Sequence, residues 1–328
     1  MLIVVALLGA FVLPTVAQDD DIPDPTDGQW CSGVNIRFFV GGAEGDAFAS
    51  IILRGAQAAA NDLGANVDYL FSAWDPERMI QQLRDAIAAA PDGIAMMGHP
   101  GQDAIRPLAE EAAAAGIEMM YQNVDVPDVR AAFGGGYVGA NLYTQGLALG
   151  EEAIRRFDLQ AGEKAIIFAR WDLVERVERE RGTAEALEAA GLEVIRVQAD
   201  VRAATDPNLL IPAFTSSVLA HPDVRVLGMG GGQILGNIPT YMQAAGLEPG
   251  AALVIGFDTS PLIMEAFDQG WIQLTSDQQP LLQGYLPILS LCQTLVYDLA
   301  PMNVDTGGGY VDPDNYQSVA ALARAGLR

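Results

Sequence analysis

Two hydrophobic rhythms alternate along this chain. Short continuous apolar runs rich in Val, Ile, Phe and Met are followed by longer stretches whose apolar positions return every three to four residues. The first rhythm predicts buried strands, the second amphipathic helices. Strands are expected at 35–40, 67–71, 93–97 and 117–121, with helices at 47–63, 76–90 and 103–115 between them. Asp75 followed by Pro76 marks a helix start, a side-chain cap and then a residue whose fixed φ suits the first turn. Gly134, Gly135, Gly136 and Gly139 interrupt the pattern, which then restarts. Helices at 144–156, 179–190, 208–219, 234–245 and 262–269 alternate with strands at 165–169, 193–197, 226–227, 253–256 and 272–275. A long helix from 281 to 299 follows, and 304–328 reads as a Gly-rich return crossing that ends in a short helix. Such alternation predicts an α/β fold with parallel sheets, here in two similar lobes.

The N-terminus departs from this rhythm. Residues 2–16 form an apolar run broken by Gly9 and Pro14, and Thr15 and Ala17 put small residues at the −3 and −1 positions of a cleavage before Gln18. The run is shorter than the roughly 20 apolar residues of a membrane span. Residues 1–17 therefore read as a secretory signal peptide, and the expected location is periplasmic or extracellular. Residues 18–31 include the acidic, Pro-containing run 19–28 and are expected to form a disordered leader.

Composition removes several function classes. Forty-two acidic residues stand against 18 basic ones, a net charge of −24, and Lys164 is the lone lysine. Such a surface repels nucleic acid, which is bound by Lys and Arg neutralising phosphates. The cysteines are two, Cys31 and Cys292, too few for a cysteine metal cluster or a C-x-x-C redox pair. In an oxidising compartment they are free to form one disulfide, a pairing the sequence leaves open. The two histidines, His99 and His221, sit in unrelated strings, so no metal site is expected.

The string Val254-Ile255-Gly256-Phe257-Asp258-Thr259-Ser260-Pro261 carries the clearest chemistry. An apolar strand ends in a glycine, an aromatic and a carboxylate, and a helix starts at Ser-Pro. Ligands of open parallel sheets sit at the carboxyl ends of strands, so Asp258 is expected beside a bound molecule.

Six strings in this order carry a resemblance: Leu53-Arg54-Gly55-Ala56, Pro91-Asp92-Gly93-Ile94, Arg179-Glu180-Arg181-Gly182, Ala220-His221-Pro222-Asp223-Val224, Gly256-Phe257-Asp258 and Thr275-Ser276-Asp277-Gln278. Over residues 34–305 the chain resembles the type I periplasmic sugar-binding proteins of the ribose- and galactose-binding group. The resemblance implies two Rossmann-like lobes with parallel sheets joined by a three-strand hinge, closing on a ligand. The lobes would be 32–139 plus 279–303, and 140–278 plus 304–328. It implies capture of a monosaccharide or related polyol and its delivery to the permease of an ABC importer, by a monomer without cofactor, metal or catalysis.

The resemblance also implies site residues. Planar carboxylates, amides and guanidiniums grip neighbouring sugar hydroxyls in pairs, and aromatic faces cover the C–H side of the ring. Asp46 and Phe48 follow the first strand, where the family carries Asn or Asp and then aromatics; Ala49 takes the second aromatic position. Asp46 equally reads as a helix cap. His99 ends the third strand beside Gly98, which stands at the family's Asn; a turn histidine bonded to backbone is the alternative. Asn123 and Asp125 follow the fourth strand, where the family has an acid and an arginine. Arg181 corresponds to the ligand-gripping arginine, with Arg179 and Arg176 as substitutes. Trp171 reads as a residue stacking on the sugar or packing at the hinge, and Trp74 as a packing residue at the cleft mouth. Gly230-Gly231-Gly232 replaces an Asn-Asp pair, with Gln233 available to compensate. Asp258 and Gln278 match the family's pattern without alteration.

Two other readings stay open. A sensor would present the same ligand to a chemoreceptor or kinase. A nucleotide-dependent oxidoreductase would use the glycine loops at Gly41-Gly42 and Gly228–Gly232, but no Gly-Lys-Ser/Thr follows the first and an isolated glycine fingerprint is weak. A sugar-responsive repressor is set aside, because an export segment stands where its DNA-binding helices would be.

Overall fold

A computed structural model describes residues 22–174, 176–204 and 206–328. The signal peptide expected at 1–17 and the start of the leader lie outside the described residues. The first lobe runs β1 (Asn35–Phe39), α1 (Ala47–Leu63), β2 (Asn66–Leu70), α2 (Pro76–Ala88), β3 (Gly93–Met97), α3 (Gln102–Ala114), β4 (Glu118–Gln122), α4 (Pro127–Phe133) and β5 (Gly136–Gly139). The second contains α5 (Leu142–Phe157), β6 (Lys164–Ala169), α6 (Glu178–Ala189), β7 (Glu193–Gln198), α7 (Ile211–Ala220), β8 (Val224–Met229), α8 (Gly232–Gly236), α9 (Ile238–Ala244), β9 (Leu253–Phe257), α10 (Pro261–Asp268) and β10 (Leu274–Asp277). The chain returns through α11 (Pro280–Tyr297), β11 (Asn303–Asp305), β12 (Gly308–Val311) and α12 (Tyr316–Arg324).

Each lobe holds a six-stranded sheet, ordered β2-β1-β3-β4-β5-β11 in one and β7-β6-β8-β9-β10-β12 in the other. Pairing is parallel except where β12 meets β10. Helices cover both faces of such sheets, so the strands are apolar throughout rather than alternating; all five residues of β3 are buried. The two faces of the second sheet feed separate cores. Ile166 and Phe168 of β6 point into one, and Ala165 and Ile167 into the other, as the two-residue pleat requires.

The chain passes between lobes three times: from β5 to α5, from β10 to α11, and from β11 to β12. The third passage follows Asp305, because Asn303–Asp305 still pairs with β5 of the first sheet, slightly beyond the boundary read from the sequence. The glycine cluster at 134–139 is only partly a break. Gly136 and Gly139 lie within β5, and a Cβ at Gly136 would overlap the Met302 carbonyl of the returning chain.

The disorder expected of the leader does not extend to the residues before β1. Trp30 packs on Tyr297, with ring centroids 5.0 Å apart, and Tyr297 donates its hydroxyl to the Pro23 carbonyl. Cys31 is fully buried and bonded to Cys292 of α11, which settles the pairing left open above. An indole and a disulfide outweigh the polar composition around them. Among the described residues no helix is long and apolar enough to cross a membrane.

Candidate functional site

In each sheet the strand order reverses once, between β1 and β3 and between β6 and β8. Loops diverge at such a point and leave a crevice at the strands' carboxyl ends. The two crevices face each other across a cavity of about 130 Å³, against the roughly 10–15 Å³ that one water needs.

The first lobe contributes Asp46, Phe48, Trp74, His99 and Asn123. Asp46 is a helix cap that also lines the cavity. Its carboxylate caps α1 by accepting from the Ala49 N–H at 2.8 Å and also accepts from Trp74 Nε1 at 3.0 Å. Trp74 is therefore more than packing: it lines the cavity, 5.3 Å from the His99 ring and 6.0 Å from Phe48, centroid to centroid. His99 is 8% exposed, and its buried Nδ1 has no hydrogen-bond partner among the described residues. Burial, with the nearby Arg176 and Arg179 guanidiniums adding to it, pushes the imidazole pKa down to about 3. His99 is thus a neutral wall residue at ordinary pH.

The second lobe contributes charge. Arg179 Nε donates to Glu180 at 2.9 Å, and Arg176 reaches the same carboxylate at 3.3 Å. Burial would raise the Glu180 carboxyl, but Arg176 and Arg179 outweigh it and hold it below the usual carboxylate range. Arg179 also lies 3.8 Å from Asp258 Oδ1 and 4.5 Å above the centroid of Phe257. Two guanidiniums facing two carboxylates leave this wall locally balanced. The α5–α6 packing sets it in place: a Cβ at Gly146 would overlap the Arg179 carbonyl, and Thr183 donates to the Gly146 carbonyl at 3.0 Å.

Between the lobes lies a continuous polar chain. Asp258 sits at φ +82°, a left-handed conformation that costs energy in a residue other than glycine and survives only where its surroundings impose it. Its N–H donates to Ser276 O at 2.9 Å, and Thr275 Oγ1 donates to its carbonyl at 2.9 Å. The carboxylate accepts from Gly232 N–H at 2.7 Å and from Gln278 Nε2 at 2.6 Å. A side chain at 232 would displace this carboxylate, since a Cβ there would lie 2.6 Å from Asp258 Oδ2. Asn123 then approaches Gln278 Oε1 at 3.4 Å. Thr259 and Ser260 complete this wall, both buried, with hydroxyls that meet no partner among the described residues.

Six of the nine residues singled out from the sequence thus meet at one cavity: Asp46, Phe48, His99, Asn123, Asp258 and Gln278. Three do not. Arg181 pairs with Glu178 and covers Tyr143 on the outer face of α6, its side chain 47% exposed. Two residues along a helix turn about 200°, so Arg179, not Arg181, faces the cavity. Asp125 is held by Arg130 at 2.7 Å, and Trp171 lies against Arg196, 5.4 Å from guanidinium to ring centroid. Arg170, Glu180, Thr259 and Ser260 also line the cavity and were not singled out. Arg170, Thr259 and Ser260 carried a signal, since they follow the ends of β6 and β9, whereas Glu180 lies within α6 and its facing is set by packing. Among the described residues no group of three or more His, Cys, Asp or Glu is placed to hold a metal ion.

Known proteins share this architecture. A carbohydrate transporter from Acidothermus cellulolyticus, solved in complex with myo-inositol, is 23% identical with a TM-score of 0.77, over 90% of this chain and 99% of that one. An ABC transporter solute-binding protein from Burkholderia graminis, in complex with D-arabinose, is 21% identical with a TM-score of 0.78, over 88% and 98%. The xylose/arabinose-binding protein XylF of Sulfolobus acidocaldarius is 26% identical over 271 residues, 76% of this chain. The match spans 64% of that relative's length. The family model for a periplasmic binding protein domain matches residues 37–296. Two lobes of the type I arrangement and a match over most of its length make this chain a member of the periplasmic binding protein family.

Proposed function

We propose that the chain is an exported receptor that captures a neutral monosaccharide or related polyol between its lobes and delivers it to an ABC importer. One observation carries the reading: a single cavity faces an indole and a phenyl ring on one side and a charge-balanced set of carboxylate, guanidinium and amide groups on the other. Rings suit the C–H face of a sugar, and planar polar groups suit its hydroxyls. The relative named for pentose binding, and the structures holding arabinose and inositol, support the same class. A disulfide supports export, because such bonds persist in oxidising compartments.

Binding is reversible and makes no bond. The closed arrangement is the one a ligand touching both lobes stabilises, and so the one a permease would read. The receptor acts as a monomer, and the signal peptide at 1–17 directs it out of the cell.

A thermal-shift screen against pentoses, hexoses, tetritols, inositols and amino sugars tests the reading. A ligand at a hundred times its Kd adds about 2.7 kcal/mol to the folded state, worth roughly 4 °C in a chain of this size. If none of these raises the melting temperature and calorimetry finds no heat of binding, the reading fails. Delivery is tested in cells: deleting the gene should abolish uptake of the sugar that binds.

A further inference from the structure

Behind the cavity, on α11, Gln283 is fully buried and does not line the cavity. Its Oε1 accepts from Asn123 Nδ2 at 2.9 Å. Its Nε2 is shared among the Gln278 carbonyl at 3.0 Å, Gln278 Oε1 at 3.2 Å and Thr306 Oγ1 at 3.0 Å. Thr306 follows β11 in the third passage, and its N–H donates to Gly139 O where the first passage begins. One side-chain amide thus binds the second and third passages directly and reaches the first through Thr306.

The chain of bonds has a direction. A carboxylate only accepts, so Asp258 turns Gln278 Nε2 toward itself. Gln278 Oε1 then faces away from Asp258 and needs donors, which Asn123 Nδ2 and Gln283 Nε2 supply. Because Nδ2 of Asn123 is held by this pair, its Oδ1 is left at the cavity, and no hydrogen bond from the described residues reaches it. We propose that Gln283 is a positioning residue that fixes this polarity, so that Asn123 meets the ligand as an acceptor and selects a hydroxyl or amine hydrogen at that point.

The identity of the selected group rests on the sugar reading above; the orientation of the amides does not. Two arms keep these apart. In the ligand-free chain, the side-chain amide protons of Asn123 and Gln278, identified through Asn123→Asp and Gln278→Glu, should exchange slowly with solvent. In Gln283→Met the Asn123 protons should exchange at least about tenfold faster, since the acceptor that held them is gone, while those of Gln278, held by Asp258, should change less. In Gln283→Glu, which keeps the acceptor and loses the donor, the Gln278 signal should change more than the Asn123 signal. Unchanged exchange in Gln283→Met overturns the proposal, whatever the ligand.

The second arm uses D-arabinose, D-galactose and myo-inositol with their monodeoxy analogues, in calorimetric titrations. In the unaltered chain one deoxy analogue of the sugar that binds should lose about tenfold or more in affinity. Gln283→Met should reduce that penalty to less than about threefold, a loss of discrimination that a purely structural role would not produce. An undiminished penalty in Gln283→Met overturns the proposal. If no panel sugar binds the unaltered chain, the sugar reading fails and the exchange measurement alone decides the role of Gln283.

Discussion

Replacing Arg179 and Arg181 separately, each by Met, gives opposite outcomes from residues two positions apart. Arg179 is 2% exposed and holds Glu180 at 2.9 Å, with Asp258 at 3.8 Å and the Phe257 ring below it. Breaking a buried ion pair by removing one partner costs about 3–5 kcal/mol. Glu180 keeps Arg176 at 3.3 Å, which reduces the electrostatic loss below that range, to about 2–3 kcal/mol. A desolvated cation over an aromatic face contributes about 2 kcal/mol more. Arg179→Met should therefore destabilise the chain by about 4 kcal/mol, within the roughly 5–15 kcal/mol that domains possess. It should also weaken sugar binding by about 2 kcal/mol, some thirtyfold, because the cavity then holds an underpaired Glu180 and Asp258. Arg181 makes exposed pairs with Glu178 and Glu185, and such pairs contribute about 0–1 kcal/mol. Urea unfolding followed by circular dichroism, with calorimetric titration of the folded proteins, separates the two. Equal losses, or a larger loss in Arg181→Met, would refute this placement. Arg179→Lys should recover part of the stability but little of the affinity, because an ammonium lacks the planar fork.

Two further perturbations follow from buried groups. The unfolded chain protonates His99 at the ordinary imidazole pKa of 6.5, the folded chain only near 3. Between those values the unfolded state binds more protons, so stability falls as pH drops, by up to about 1.4 kcal/mol per unit, and the effect vanishes above pH 6.5. His99→Gln should flatten the dependence of the urea midpoint on pH between 6 and 4, and identical slopes would refute it. Replacing Cys31 and Cys292 together by Ser removes a link between residues 261 positions apart. The loss should be about 3–5 kcal/mol of stability with sugar affinity unchanged, since neither cysteine lines the cavity; a changed Kd would contradict the separation of core from site.

Much of this molecule was legible in its sequence because the dominant signal, buried strands alternating with amphipathic helices, is local. The strands at 93–97 and 253–256 and the capped helix after Asp75 needed nothing beyond their own residues. What was missed depends on distant partners. β11 and β12 are short, and their edges are defined by β5 and β10, far away in sequence. The helix expected at 234–245 is split at Asn237, where Pro239 follows within the first turn of α9. At the site, a strand end pointed to Asp258, and the resemblance to Asp46, His99 and Asn123, each in the loop that follows a strand. Helix α6 was different: which of Arg176, Arg179 and Arg181 turns inward depends on its packing against α5 at Gly146 and Gly182, information no short string contains. Trp74 shows the same limit. Its role follows from Asp46, 28 residues earlier, and from tilted contacts with the Phe48 and His99 rings that only the assembled lobe creates.

The most direct test is a crystal structure of the chain grown with whichever sugar of the panel raises its melting temperature most. The sugar should lie between the lobes, one face on Trp74, its hydroxyls bonded to Arg179, Asp258 and Asn123 Oδ1. A sugar bound elsewhere, or one seated between the lobes without touching Asp258 or Asn123, would contradict the account.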